Sequence, residues 1–262
     1  MRTAAKVLRY ELSNVIRSRW LLMYTLLFLL LTDALFRFGG SGSRAVLSLM
    51  NLVLVLVPLV SLVFGTMYLY QAREFIELLL AQPVGRRELF TGLYAGLSTP
   101  LAAGFLVGVG LPILLRGGAA GPLGPLAVLL GAGVVLTFVF TGLAFVTALA
   151  FEDRAKGLGL AIVLWLLVAV VYDGFILLVI ASFGSYRLET PVLALTIANP
   201  VDLARVLLLL QFDIAALMGY TGTVFQHFFG GLAGTVISIL ALLLWIAVPF
   251  LLGLWRFRRK DF

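Results

Sequence analysis

Residues 117–151 read GGAAGPLGPLAVLLGAGVVLTFVFTGLAFVTALAF, a stretch of 35 residues without a charged side chain. A membrane-spanning helix needs about 20 predominantly apolar residues, so this stretch is long enough to cross a bilayer. Three further uncharged stretches cover residues 45–72, 89–115 and 214–255. The whole chain is 62% hydrophobic and 12% charged, which excludes a soluble globular enzyme and a disordered chain. The continuous apolar runs also disfavour a β-barrel, whose strands alternate apolar and polar residues.

The apolar stretches predict an all-α polytopic membrane protein with six transmembrane helices, folded as a single membrane domain over residues 1–262. The predicted spans are Trp20–Phe36, Ala45–Tyr70, Leu89–Leu115, Leu123–Ala150, Gly157–Phe183 and Leu232–Trp255. No small-x-small cleavage site follows the first span, so we expect it to remain as an uncleaved anchor.

The positive charges predict which way these spans face. Of the 19 Lys and Arg residues, 14 fall in residues 1–19, 71–88, 151–156 and 256–262, which share one side of the predicted arrangement. The positive-inside rule therefore places both termini in the cytoplasm. In a chain this apolar, the net charge of +7 indicates orientation against an anionic inner leaflet and not nucleic-acid binding.

Several segments outside the spans have patterns of their own. Residues 1–19 alternate a basic and an apolar stripe at helical spacing, which predicts an amphipathic interfacial helix; a basic tail that only sets orientation is the alternative. Residues 256–262 form a second basic tail. The long segment 184–231 predicts two short helices at the outer membrane face, Val201–Leu210 and one within Asp213–Phe229, arranged as a re-entrant pair.

The loop at residues 71–88 predicts a short helix, Arg73–Ala81, that ends before Pro83 because a residue preceding proline avoids the α region. Phe75, Leu78 and Leu79 then lie on one side of this helix. Exposed apolar side chains mark interfaces, so this side packs either on the protein's own helices or on a soluble subunit.

Two acidic residues lie within predicted spans. Asp33 precedes Arg37 by four residues, which favours an ion pair within one helix. Asp173 has no basic residue at helical spacing, so a functional role and an interhelical hydrogen bond both stay open. The third span also carries a row of small residues and prolines at every fourth position, typical of close helix packing: Gly92, Gly96, Pro100, Gly104, Gly108 and Pro112.

Several kinds of chemistry are missing from the sequence. The chain has no Cys and a single His, His227, so it offers no disulfide, no thiolate metal site and no multi-His motif. Met218 and His227 are too few to predict a copper site. The phosphate-binding pattern GxxxxGK[ST] and the nucleophile pattern GxSxG are both absent. We therefore predict a non-enzymatic membrane subunit without a cofactor or metal site.

The arrangement resembles the permease subunits of type 2 ABC exporters, which have six spans, an N-terminal elbow helix, a coupling helix between spans two and three, and an outer re-entrant region. Within that group the residues look most like the NosY-type permeases of nitrous-oxide-reductase maturation. The resemblance covers essentially the whole chain, and its matching stretches are residues 74–83, 154–159, 172–174, 199–205 and 216–222.

The resemblance implies a homodimer in the bacterial inner membrane, surrounded by lipid. It implies a cytoplasmic NosF-like ATPase, which would hold ATP and Mg²⁺, a periplasmic β-helical NosD-like protein and, as a further candidate, a copper chaperone. The implied ATPase-coupling residues are Arg73, Glu74, Phe75, Glu77, Leu78 and Leu79. The implied contacts with the outer partner are Asp202, Arg205, Met218, Tyr220 and His227.

Two other functions stay open from the sequence. One is an ABC exporter permease for lipid, drug or polysaccharide. The other is a secondary transporter working alone, which would need paired intramembrane charges or inverted repeats.

Overall fold

A computed structural model describes Val15 and residues 18–38, 42–116, 123–183, 189–210 and 232–260. These residues form helices joined by short turns, with no strand among them. The elements are α1 (Arg19–Phe38), α2 (Gly42–Gln71), α3 (Arg73–Leu80), α4 (Arg86–Arg116), α5 (Leu123–Ala150), α6 (Arg154–Leu166), α7 (Tyr172–Phe183), α8 (Glu189–Ile197), α9 (Pro200–Leu210) and α10 (Leu232–Arg259). A single π-helical turn, Leu167–Val171, joins α6 to α7 into one continuous span.

The prediction of six spans is confirmed. Six helical segments of the described chain are long and apolar enough to cross a membrane: α1, α2, α4, α5, the α6–α7 segment and α10. Most of them extend past the predicted ends into charged residues, and α4 and α10 show the pattern clearly. Helix α4 begins at Arg86 with Glu88 in its first turn, and α10 ends with three arginines. An acid near a helix N-terminus and bases near a C-terminus both favour the helix dipole, so the helices continue beyond the apolar stretch.

The uncharged stretch at residues 117–151 supplies the central helix. α5 is apolar all round and packs against α2, α4, α6 and α10, as expected of a helix with no polar face. Its Phe145 lies within an aromatic cluster with Phe90 and Tyr94 of α4 and with Tyr68 of α2. The opposite extreme is the α6–α7 span, most of whose side chains are exposed in the isolated chain.

Side-chain hydrogen bonds bring the basic ends of the spans together. The Tyr70 hydroxyl at the end of α2 donates to the Phe151 carbonyl after α5, and Arg86 at the start of α4 reaches the end of α10. We name this end of the bundle the basic end. At the other end, here the outer end, Arg116 of α4 donates to the Phe36 carbonyl of α1.

The outer segment differs from the prediction. α8 and α9 form a helix pair bent by 108° at Asn199, so the helix partnering α9 is Glu189–Ile197 on its N-terminal side. The helix expected within Asp213–Phe229 and most of the amphipathic helix expected at residues 1–19 lie outside the described residues. We missed α8 because its residues were assigned to the loop that follows span five.

Candidate functional site

The short helix α3 lies at the basic end, between spans two and three. Ala72 alone separates it from α2, and it ends at Leu80, within one residue of the predicted end. The Ala81 amide donates to the Glu77 carbonyl, and the Gln82 amide donates to the Leu79 carbonyl, which closes the last turn before Pro83. The tight junction with α2 leaves α3 little freedom to move independently of that span.

The two sides of α3 have different environments. Ile76 is fully buried in the core of the bundle, and Leu79 and Leu80 pack partly against that core. Leu78 is 63% exposed on the opposite side, and Glu74 and Glu77 are exposed with it. We name Glu74, Glu77 and Leu78 the outward face of α3.

This division corrects the grouping expected from the sequence. Phe75, Leu78 and Leu79 do not share one environment, because Phe75 and Leu79 are half-buried while Leu78 points away from the bundle. Ile76 is the inward anchor, and it was not predicted although it precedes Leu79 by three residues, a spacing that places both on one side of a helix. Arg73 forms an ion pair with Glu77 at 3.5 Å, four residues along the helix.

The segment after α3 is tied to the last span. One guanidinium nitrogen of Arg86 donates to the carbonyls of Arg258 at 3.0 Å and Lys260 at 2.7 Å. The last carbonyls of a helix have no partner within it, so Arg86 supplies donors that α10 lacks. The Lys260 ammonium in turn donates to the Leu149 carbonyl of α5 at 3.2 Å. Partial burial and the nearby Arg73 guanidinium lower the pKa of Lys260, against a smaller raising effect of Glu152.

A polar cluster joins span five to the α8–α9 pair at the outer end. Asp173 of α7 forms an ion pair with Arg205 of α9 at 2.5 Å, and Arg205 also contacts Asp202 at 3.2 Å. The Asn199 amide donates to the other Asp202 oxygen at 2.9 Å and to the Val168 carbonyl in the π-helical turn at 2.8 Å. The interhelical contact that the sequence left open for Asp173 is therefore observed, with Arg205 as the partner.

The cluster lies at one side of a cavity of about 270 Å³. Apolar side chains of α7, α8 and α9 form most of its wall, and Thr196 lines it as well. Asp202 and Arg205, expected to contact an outer partner, are thus brought together with Asp173. Met218, Tyr220 and His227, expected on the same surface, lie outside the described residues.

Asp33 has two partners at the outer end. Its carboxylate contacts Arg37 at 2.6 Å, as the spacing predicts, and Arg116 of α4 at 2.7 Å. The second partner, 83 positions along the chain, has no local sequence signal. The ion pairs of Asp33 and Asp173 each join two helices, so both acids have a structural role in the bundle.

These features fit a six-span protein with a short helix between spans two and three. The buried side of this helix is anchored in the bundle, and its outward face is exposed. Residues 5–262 match the family described as ABC-2 family transporter protein. The chain belongs to this family. Proteins of this family are permease subunits, so the chain is a multi-pass membrane subunit that works with an ATPase.

Two relatives in this family share nearly their whole length with the chain. One is described as a probable ABC transporter permease protein NosY from Pseudomonas aeruginosa, 30% identical over 274 residues, covering 97% of this chain and 98% of the relative. The other carries the same description and comes from Stutzerimonas stutzeri, 28% identical over 284 residues, covering 97% of each. The resemblance to NosY-type permeases is thereby confirmed, and the matching family is not a catalytic one.

Proposed function

We propose that this permease couples ATP hydrolysis by a NosF-like ATPase to maturation of the copper site of a nitrous oxide reductase. The ATPase binds the outward face of α3 on the cytoplasmic side, and the α8–α9 pair faces a NosD-like β-helical protein in the periplasm. Two copies of the chain form the membrane part in the bacterial inner membrane. ATP and Mg²⁺ belong to the ATPase, and this chain holds no cofactor of its own.

The observation that carries the proposal is the opposed burial of Ile76 and Leu78. Because Ile76 is fully buried in the bundle, a force applied to α3 is passed to packed spans and is not absorbed by a loose loop. Because Leu78 is exposed between Glu74 and Glu77, it offers an apolar contact for a soluble subunit.

The outer end supports transmission towards a periplasmic partner. Asp173, Asn199 and Arg205 tie the α8–α9 pair to span five, so a movement of that span carries the pair with it. Rocking of the spans would then change the surface presented outside the membrane. Such coupling requires that the two states differ in their contacts with the ATPase and with the outer partner.

The complex either transports a sulfur species across the membrane or transmits only mechanical work to the outer partner. The sequence has no Cys and only 5 Met residues, so it lacks the soft ligands that a copper conduit uses. A reconstituted complex in sealed vesicles tests this choice. ATP-dependent uptake of copper ions would contradict it.

Genetic replacement in the host bacterium tests the proposed function. Deletion of the gene should yield nitrous oxide reductase without its copper-site absorption, and the wild-type chain should restore it. Leu78→Asp should fail to restore it, and its complex should lose the ATPase on co-purification, because a third acid on the outward face of α3 removes the apolar contact.

Phe151→Asp is the matched control, since Phe151 is also an exposed apolar residue at the basic end, outside α3. It should retain the ATPase. Equal ATPase recovery with Leu78→Asp and the wild type would exclude docking on α3. An unchanged reductase in the deletion strain would exclude the maturation role and leave the ATPase docking standing.

A further inference from the structure

A cavity of the described chain lies inside one protomer, between the first three spans. It has a volume of about 660 Å³ and reaches the basic end, where Ser18, Trp20 and Gln71 line it. α1 contributes Trp20 and Leu21, α2 contributes Val63, Phe64 and Met67, and α4 contributes Leu97 and Leu101. Ser18 and Gln71 line the same cavity at the ends of their helices.

The cavity lies on the basic side of a close contact between α1 and α4. A Cβ atom on Gly104 would lie 2.7 Å from the Thr25 Oγ1 atom, and one on Gly108 would lie 2.7 Å from the Thr25 carbonyl oxygen. Towards the basic end the facing residues are leucines, Leu97 and Leu101, which cannot approach α1 in the same way. The cavity therefore lies between this close contact and the basic end.

The depth of the cavity matches one leaflet. Val63 and Gln71 both line it and are eight residues apart on α2, which is about 12 Å along a helix axis. Half of the hydrocarbon core of a bilayer is about 15 Å thick. Trp20, exposed at the mouth and in edge contact with Phe64 at a ring distance of 5.7 Å, belongs to the residue type enriched at membrane interfaces.

The charge around the mouth favours an anion. Arg19 is exposed next to the lining residues Ser18 and Trp20. A cation at a membrane surface attracts acidic lipid headgroups. We infer that the cavity is a binding site for an acidic glycerophospholipid, with one acyl chain between α1, α2 and α4 and the phosphate at the Ser18–Arg19 rim. This inference is independent of what the transporter carries.

Native mass spectrometry of the full-length, delipidated chain tests the site. Titration with dioleoyl phosphatidylglycerol should saturate one tight position per chain in the wild type. Val63→Phe and Met67→Trp fill the cavity and should lose that binding. Val107→Phe is the matched control, because Val107 is exposed on the surface of α4 away from the cavity, and it should bind as the wild type does.

The headgroup is tested separately. Arg19→Gln should weaken binding of phosphatidylglycerol about fivefold, the equivalent of about 1 kcal/mol per cation near an anionic lipid, and should leave dioleoyl phosphatidylcholine unaffected. Arg44→Gln, a charge change in the first turn of α2 at its opposite end, is its control. Equal binding of the two lipids by the wild type would contradict the preference for an acidic headgroup.

Two results would overturn the site itself. One is equal phosphatidylglycerol binding by the wild type, Val63→Phe and Met67→Trp. The other is a disulfide between Leu8→Cys and Val63→Cys in native membranes, which would show that the protein's own N-terminal segment fills the cavity. The chain has no native Cys, so this pair has no competing thiol.

Discussion

Arg205 is the residue on which the outer polar cluster depends, since it contacts both Asp173 and Asp202. Asp202 is almost fully buried, whereas Asp173 keeps about a third of its side chain exposed. Removing the cation therefore leaves a buried carboxylate without its charged partner, whereas removing the charge of Asp173 leaves the Arg205–Asp202 contact intact.

We expect Arg205→Met to destabilise the protein by about 3 kcal/mol, the cost of leaving a buried charge unpaired. Asp173→Asn should cost less than about 1 kcal/mol, because the amide oxygen still accepts a hydrogen bond from Arg205. Thermal unfolding in detergent measures both. Equal losses in the two variants would show that Asp173 and not Asp202 carries the stabilising contact.

Gly108 and Gly110 make a matched pair on α4. A Cβ on Gly108 would lie 2.7 Å from the Thr25 carbonyl oxygen and 2.8 Å from the Phe28 Cβ, whereas a Cβ on Gly110 meets no atom within 4 Å. Gly108→Ala should cost about 1–3 kcal/mol, the usual range for overpacking. Gly110→Ala should leave thermal stability unchanged or slightly higher. A stable Gly108→Ala would mean that α1 is free to move away from α4.

At the residue scale, the sequence predicted the important residues more accurately than it predicted their contact partners. Asp33 and Asp173 could be singled out because charges within apolar spans are conspicuous, and the family resemblance pointed to Asp202 and Arg205. The partnership of Asp173 with Arg205 joins residues 32 positions apart on different helices, and no local spacing encodes such a contact. The row of small residues indicated close packing, and the close approach is observed at Gly104 and Gly108.

At the scale of elements, α3 was predicted to within one residue because Pro83 sets its end. Its division into a buried and an exposed side was not, because eight residues carry too few positions to show which stripe faces the bundle. Helix α8 was not predicted. At nine residues it has too few positions for a helical pattern to stand out in a mostly apolar segment.

Arg86 links the segment after α3 to the last span, so its loss should affect the end of α10. Arg86→Met keeps the side-chain stem but removes the donors to the Arg258 and Lys260 carbonyls. Amide hydrogen exchange in residues 255–260 should become at least about tenfold faster, because even one hydrogen bond from a charged donor is worth about 1.5 kcal/mol. Arg87→Met, an exposed neighbour, should not change it. Unchanged exchange in Arg86→Met would exclude this link.

At the scale of the molecule, the apolar stretches predicted the number of spans, because each of the six is about as long as a bilayer requires. Their arrangement around α5 depends on packing between helices far apart in sequence, which hydropathy does not encode. The orientation in the membrane remains a prediction from the positive charges.

Cysteine labelling in intact cells tests that orientation. Gln82→Cys at the basic end and Phe38→Cys at the outer end are both exposed positions in a chain without native Cys. A membrane-impermeant maleimide should label Phe38→Cys from outside and Gln82→Cys only after lysis. The reverse pattern would place both termini in the periplasm.

The central claim is that an ATPase subunit binds the outward face of α3. Leu78→Cys carrying a photoreactive benzophenone tests it in membranes that contain the complex, with Leu244→Cys, equally exposed but on the lipid-facing side of α10, as the control. We predict that Leu78→Cys crosslinks to the ATPase on illumination and that Leu244→Cys does not. An ATPase adduct at neither position, or equal adducts at both, would contradict the account.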